Sequence, residues 1–100
     1  MFDKKLILGF VRVHILHHAS EENGVYGSWM LSELKEHGYN ISPGTLYPIL
    51  HEMKEEGLLS MIDNIVGGKV RKVYRTTKKG DKVLEQLKVS IRELSKEVMD

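Results

Sequence analysis

The sequence predicts a mainly α-helical fold with a minor β component, in the order helix, helix, helix, hairpin, helix. Three observations support this prediction. Apolar residues recur at helical spacing in four segments, β-branched and aromatic residues flank one Gly-Gly pair, and 100 residues suit one modest hydrophobic core. We therefore interpret residues 1–100 as a single domain, with a core over about 1–76 and a terminal helix over 77–100.

The first predicted helix covers residues 5–19. Its apolar side chains, Leu6 and Phe10 among them, face nearly every side of the helix. One neighbouring layer buries only one stripe of a helix. Either this helix is central in the fold, or a second copy of the protein covers its other side.

Two further helices follow, joined by a short connection. The second begins near Tyr26 or Ser28 and ends at Gly38, and the third covers residues 42–57. Glycine next to the last periodic residue is a common helix terminator. Two helices joined by a short turn form a helix-turn-helix pattern. The apolar residues of the third helix keep the i, i+3, i+4, i+7 spacing: Leu46, Ile49, Leu50 and Met53.

The segment around Gly67 and Gly68 has the composition of a β-hairpin. After it, Thr77 is a suitable N-cap for a last helix. The apolar residues of that helix step by three and four, which is a narrow heptad seam. With the first helix, this seam favours a homodimer built from both ends of the chain; the alternative is that the last helix packs only on its own first helix. The predicted interface residues are Leu6, Phe10, Leu84, Leu87, Ile91, Leu94 and Val98.

A helix-turn-helix followed by a hairpin is a winged helix, in which one helix enters the DNA major groove. That role explains the sequence "SPGTLYP" at the start of the third helix. Ser42 precedes a proline and suits an N-cap, Pro43 is tolerated in the first turn, and Gly44 lets backbone approach a phosphate or base edge. A cap at Thr45 is the alternative, because it would leave Pro48 in the first turn.

The outward side of this helix carries hydrogen-bonding groups. Tyr47 can donate to a phosphate or contact a thymine methyl group, and Thr45 and His51 can bond to phosphates or base edges. The alternatives are a half-buried core position for Tyr47 and an ordinary surface position for His51. The predicted DNA-reading residues are Ser42, Gly44, Thr45, Tyr47, His51 and Lys54.

Positive charge is concentrated in the segment that follows the Gly-Gly pair. The net charge of the chain is +1, yet the fourteen residues 69–82 carry seven basic residues and one acid, or +6, which leaves −5 elsewhere. This asymmetry indicates a basic edge, although a solvated lysine-rich turn is the alternative. We expect the wing to cover residues 64–75. Its predicted phosphate contacts are Lys69, Arg71, Lys72 and Arg75.

The stretches "SPGTLYPILHEMKEEGLL" and "GGKVRKVYRTTKKG", with Tyr26–Gly27, resemble the PadR-type transcriptional regulators over residues 26–80. The resemblance implies a homodimeric winged-helix repressor that binds a pseudo-palindromic operator in double-stranded DNA. It also implies that the N- and C-terminal helices clasp the dimer. The short last helix leaves little room for an effector domain, so a small-molecule effector would bind at the dimer interface. Trp29 could line such a pocket or simply pack.

Other kinds of site are not expected. His14, His17 and His18 lie near a metal-ligand spacing, with Glu21 or Glu22 as a further ligand. Because histidines on the polar side of a helix are usually only solvated, we predict no metal and no cofactor.

The sequence contains neither a cysteine nucleophile nor a phosphate-binding glycine loop, and we expect no enzyme. The N-terminal apolar run is broken by Arg12 and His14, so we expect a cytoplasmic protein without a membrane partner. A winged-helix module that binds proteins without reading DNA is the alternative function.

Overall fold

A computed structural model describes residues 3–100 and contains four helices and three strands. It confirms the predicted mainly α fold with its minor β component. In chain order the elements are α1 (Lys4–Ala19), β1 (Val25–Tyr26), α2 (Gly27–Glu36), α3 (Pro43–Glu55), β2 (Leu59–Val66), β3 (Lys69–Thr76) and α4 (Lys78–Met99).

The start of α3 resolves the choice between the two predicted caps. Ser42 has an extended backbone and occupies the N-cap position, and Pro43 begins the helix. The side chain of Ser42 makes no capping bond; its Oγ lies 3.4 Å from the Oγ1 of Thr45 instead. Pro48 therefore lies inside the helix, where it has no N–H to donate to the carbonyl of Gly44.

The strands form one antiparallel sheet in the order β1-β3-β2. β2 and β3 pair from Leu59 with Thr76 to Val66 with Lys69. Gly67 and Gly68 both have positive φ, +57° and +77°, as a two-residue hairpin turn requires. The predicted hairpin is thus present, but the sheet has a third strand that the sequence did not predict.

The core lies where α1, α2 and α3 meet the sheet. Its fully buried side chains come from all three helices and include Ile15, Met30 and Leu34. The four apolar residues predicted to face inward from α3 are all buried: Leu46, Ile49, Leu50 and Met53. This packing leaves the opposite side of α3 facing solvent.

The apolar seam of α4 divides into two parts. Leu84 is only 5% exposed and lies in the core of its own chain, and Leu87 is partly buried against that core. Leu84 therefore packs mainly within its own chain and exposes little surface to a second copy. Further along, Ile91, Leu94 and Val98 are 47%, 58% and 67% exposed.

The second half of α4 extends beyond the rest of the molecule. Every residue from 88 to 100 is exposed. The radius of gyration is 14.2 Å, against about 13 Å for a compact chain of this length. The molecule is elongated, with extents of 51 × 31 × 21 Å.

Candidate nucleic-acid interface

A groove of about 510 Å³ separates the outer side of α3 from the wing. One wall is formed by the start of α2 and by α3, and the other by β3. The lining residues combine aromatic, hydroxyl and basic groups: Tyr26, Gly27, Ser28, Tyr47, His51, Val70, Arg71, Lys72 and Tyr74. Two of the residues predicted from α3 and two from the wing thus face one concave surface.

Tyr47 is half-exposed and rests on the backbone of α2. The residue is 44% exposed, and a Cβ placed on Gly27 would lie 2.5 Å from the Cε1 atom of its ring. Gly27 therefore leaves the space that the ring occupies. The sequence left open whether Tyr47 is half-buried or faces outward, and its position combines both. One part of the ring packs on Gly27, and the residue also lines the groove.

Gly44 has no structural need to be a glycine. It lies in the first turn of α3, and a Cβ there would meet only the Oγ of Ser42, at 3.6 Å. Glycine lowers helix stability relative to alanine. The described part of the chain therefore gives no packing reason for a glycine at this position.

The remaining predicted residues of α3 lie around the same helical side. Thr45 is partly exposed, and the His51 side chain is 70% exposed. His51 and Lys54 lie 3.8 and 3.9 Å from the same Oε1 of Glu55, and such exposed, loose pairs are weak. Both side chains can therefore bind other groups at little cost in free energy.

Sequence reasoning missed the part that Tyr26 plays in holding the wing. Tyr26 belongs to β1, and its hydroxyl accepts a hydrogen bond of 2.9 Å from the Nδ2 of Asn64. The guanidinium of Arg71 lies 5.6 Å from the centre of its ring, within range of a cation–π interaction. The Tyr26–Gly27 pair entered the sequence interpretation only as part of the family resemblance, and the pair does not show that Tyr26 contacts Asn64 and Arg71.

The four predicted wing cations are not equivalent. Arg71 and Lys72 line the groove, and Lys69 is exposed beside the hairpin turn. Arg75 instead lines a separate hollow of about 360 Å³ with Val73 and Gly24. The structure thus brings Arg71 and Lys72 to the same groove as the outer side of α3 and places Arg75 elsewhere.

Tyr74 forms part of the groove floor. Burial, with a smaller effect of the nearby Tyr47, raises the pKa of its hydroxyl. At neutral pH the group is therefore a neutral hydroxyl that can donate a hydrogen bond.

The histidines of α1 do not line this groove. His14 stacks on His37 with 5.2 Å between the ring centres, and His18 meets the edge of Trp29 at the same distance. Burial lowers the pKa of His14, and the neighbouring His37 adds to the effect. Trp29 is 44% exposed and has a packing partner in His18.

Within residues 3–100, none of the helices has the length and apolar character needed to cross a membrane.

Comparison with known proteins identifies the family. The Transcriptional regulator PadR-like family matches residues 15–86. The chain is 47% identical over 89 residues to a transcriptional regulator from Mycobacterium tuberculosis, a match that covers 89% of this chain and 82% of that protein. A PadR-like transcriptional regulator from Bacillus cereus has a similar structure, with a TM-score of 0.85, 33% identity, and coverage of 95% of this chain and 93% of the other.

A second solved structure, of a PadR family transcriptional regulator from Eggerthella lenta, has a TM-score of 0.79 and 32% identity. It covers 94% of this chain and 82% of its own. The relatives are transcriptional regulators, which confirms the expectation that the protein is not an enzyme. The chain belongs to the PadR-like family of transcriptional regulators.

Proposed function

We propose that the protein is a homodimeric repressor that reads a pseudo-palindromic operator in double-stranded DNA. The observation that carries this proposal is the groove between α3 and the wing, in which Tyr47 and His51 face Arg71 and Lys72. The helix offers hydrogen-bonding groups on one side of the groove, and the wing offers cations on the other. This arrangement suits a ligand that presents base edges and phosphates together. Double-stranded DNA has this combination.

In this proposal the first turns of α3 enter the major groove. Gly44 supports that orientation, because its missing side chain permits close approach and nothing within the chain requires it. The N-terminal end of a helix also favours an anion, since its backbone N–H groups and dipole point outward. Ser42, Thr45, Tyr47, His51 and Lys54 would then supply contacts to bases and phosphates.

The wing would lie along the sugar–phosphate backbone. The positions of Arg71 and Lys72 in the groove support this role, and so does the exposed position of Lys69 beside the turn. Arg75 lies outside the groove and would contribute less. Phosphate contacts of this kind add affinity without sequence preference and weaken as salt rises.

The second copy would cover the exposed part of α4. The last turns of α4 are exposed and do not pack against the rest of their own chain. Short isolated helices are only marginally stable in water. The exposed apolar residues of α4 continue onto α1, where Leu6 and Phe10 are 60% and 49% exposed. A partner with the same heptad seam would bury both surfaces and place two reading helices about 34 Å apart.

An effector site would lie on the same surface. A hollow of about 280 Å³ between α1 and α4 is lined by apolar and histidine side chains, including Phe10, Val13 and His14. A second copy packed on α4 would close its open side. A small, largely apolar effector bound there would change how the two copies meet. We place the repressor in the cytoplasm.

The test is a fluorescence anisotropy titration with a labelled duplex from just upstream of the protein's own gene, beside a scrambled duplex of equal length. Both are measured at two salt concentrations. We expect the operator to bind ~1000-fold more tightly than the scramble. Equal and weak binding of both duplexes would contradict sequence-specific readout. Binding of neither would favour the alternative, a module that docks on proteins.

A further inference from the structure

Imidazole and carboxylate side chains converge where the end of α1 meets the end of α2. The Oε1 of Glu33 lies 3.0 Å from the Nε2 of His37 and 3.8 Å from the Nε2 of His18. One ligand atom from each residue lies within 4.8 Å of the other two. We propose that these three side chains bind one Zn²⁺ ion, or a similar divalent transition-metal ion, with water as the fourth ligand.

The two distances from Glu33 to the histidine nitrogens are close to those of a tetrahedral site. Zinc bonds nitrogen and oxygen ligands at about 2.0–2.2 Å, so neighbouring ligand atoms lie about 3.3 Å apart. The two distances to Glu33 fall on either side of that value. His37 is the C-cap residue of α2 and lies one helical turn after Glu33, so modest side-chain rotations would complete the geometry.

His18 is held in the orientation that a metal ligand needs. Its Nδ1 is 2.6 Å from the Oε1 of Glu21, while its Nε2 faces Glu33. A carboxylate on one ring nitrogen keeps the proton there and leaves the other nitrogen free to bind a metal. The His18 side chain is only 13% exposed and packs against Trp29, so the ring has little freedom to turn away.

The ligand set indicates the class of metal. Two imidazoles and one carboxylate suit Zn²⁺ and its neighbours, whereas Ca²⁺ and Mg²⁺ prefer oxygen alone. Three protein ligands at a solvent-facing position leave room for water. The sequence alone led us to predict no metal, because the spacing within α1 does not show that α2 brings Glu33 and His37 to His18.

A second set of ligands, His17, His18 and Glu21, also converges. We favour the first set because its carboxylate, Glu33, is only 21% exposed, whereas Glu21 is 57% exposed. Ligands on two different helices also hold a site more rigidly than neighbours on one helix end. Both sets contain His18. Replacing His37 tests the first set, and replacing His17 tests the second.

Trp29 provides the measurement, because it is the only tryptophan and its ring lies 5.2 Å from that of His18. The untagged protein would be titrated with ZnCl₂ while its tryptophan fluorescence is followed, and equilibrium dialysis would give the stoichiometry. We expect one Zn²⁺ per chain. His37→Gln and the nearly isosteric Glu33→Gln should each weaken binding by ~100-fold, the upper end of the loss seen when only an outer-shell partner is removed.

The matched controls are His51→Gln, a surface histidine on α3, and His17→Gln. Both should bind zinc as the unmodified protein does, and circular dichroism would show that all variants are folded. Loss of binding in His17→Gln but not in His37→Gln would overturn the proposed ligand set. Unchanged binding in His37→Gln and Glu33→Gln, or no binding by the unmodified protein, would overturn the site.

Discussion

The ring of Tyr47 lies directly against the backbone of Gly27, so that a Cβ on this glycine would be 2.5 Å from Cε1 and 3.3 Å from Cδ1 of the ring. Gly27 is the first residue of α2, and Tyr47 lies on the exposed side of α3. Gly27 does not have a positive φ, so its backbone conformation is open to other residues. The glycine is needed for the space that Tyr47 occupies.

Replacing Gly27 by alanine should therefore displace Tyr47. We expect the free energy of unfolding to fall by about 1–3 kcal/mol, as for other overpacked sites, and operator affinity to fall with it. Urea denaturation and DNA anisotropy would measure the two effects. In the Tyr47→Ala background the clash is absent, so Gly27→Ala should then cost almost no stability. Equal costs in both backgrounds would contradict the steric explanation.

Gly44→Ala should have opposite effects on stability and on binding. The added methyl group meets only the Oγ of Ser42, at 3.6 Å, so the helix should gain about 0.5–1 kcal/mol. Operator binding should weaken, because the methyl group points to the surface that approaches DNA. The control is Val89→Ala on the outer side of α4, which should stabilise the helix by about 0.5 kcal/mol and leave DNA binding unchanged. A Gly44→Ala variant that is stabilised and binds normally would contradict the placement of this turn in the groove.

Local features of the sequence predicted most of the fold, but contacts between distant residues were not predicted. Helical periodicity and the Gly-Gly turn were strong local signals, and they correctly predicted the four helices and the hairpin. β1 was missed because a strand of two residues has no periodicity. The seam did not show that Leu84 packs into its own core, because a heptad seam has the same spacing whether it faces a second copy or its own chain. The groove was only partly predicted, since the contacts of Tyr26 with Asn64 and Arg71 join distant parts of the chain.

The homodimer prediction can be tested at two equally exposed positions of α4. Leu94 and Val89 are both 58% exposed, but only Leu94 lies on the apolar seam. Leu94→Asp should therefore convert the dimer to a monomer at micromolar concentration, whereas Val89→Asp should leave it dimeric. Sedimentation equilibrium would measure the mass of each variant. If both variants stay dimeric, or both dissociate, the seam is not the contact between copies.

The wing cations should contribute to DNA binding according to their positions. Replacing Lys72, which lines the groove, by glutamine should weaken binding to operator and scrambled DNA alike and reduce the slope of log K against log salt by about 1. Arg75→Gln should change that slope much less, because Arg75 lies in a separate hollow. Anisotropy titrations at four salt concentrations would give both slopes. A larger effect from Arg75 than from Lys72 would mean that DNA approaches the other side of the sheet.

Changes on α3 should instead alter specificity. Tyr47→Phe removes only the hydroxyl and keeps the ring against Gly27, so stability should hardly change. If the hydroxyl reads the operator, the ratio of specific to non-specific affinity should fall about 5- to 10-fold, as for the loss of one hydrogen bond to a base. The salt slope reports phosphate contacts and the affinity ratio reports base readout, so the two variants separate the roles of wing and helix. A Tyr47→Phe variant that loses affinity for operator and scramble equally would show that Tyr47 contacts only the backbone, and readout would then rest on Thr45 and His51.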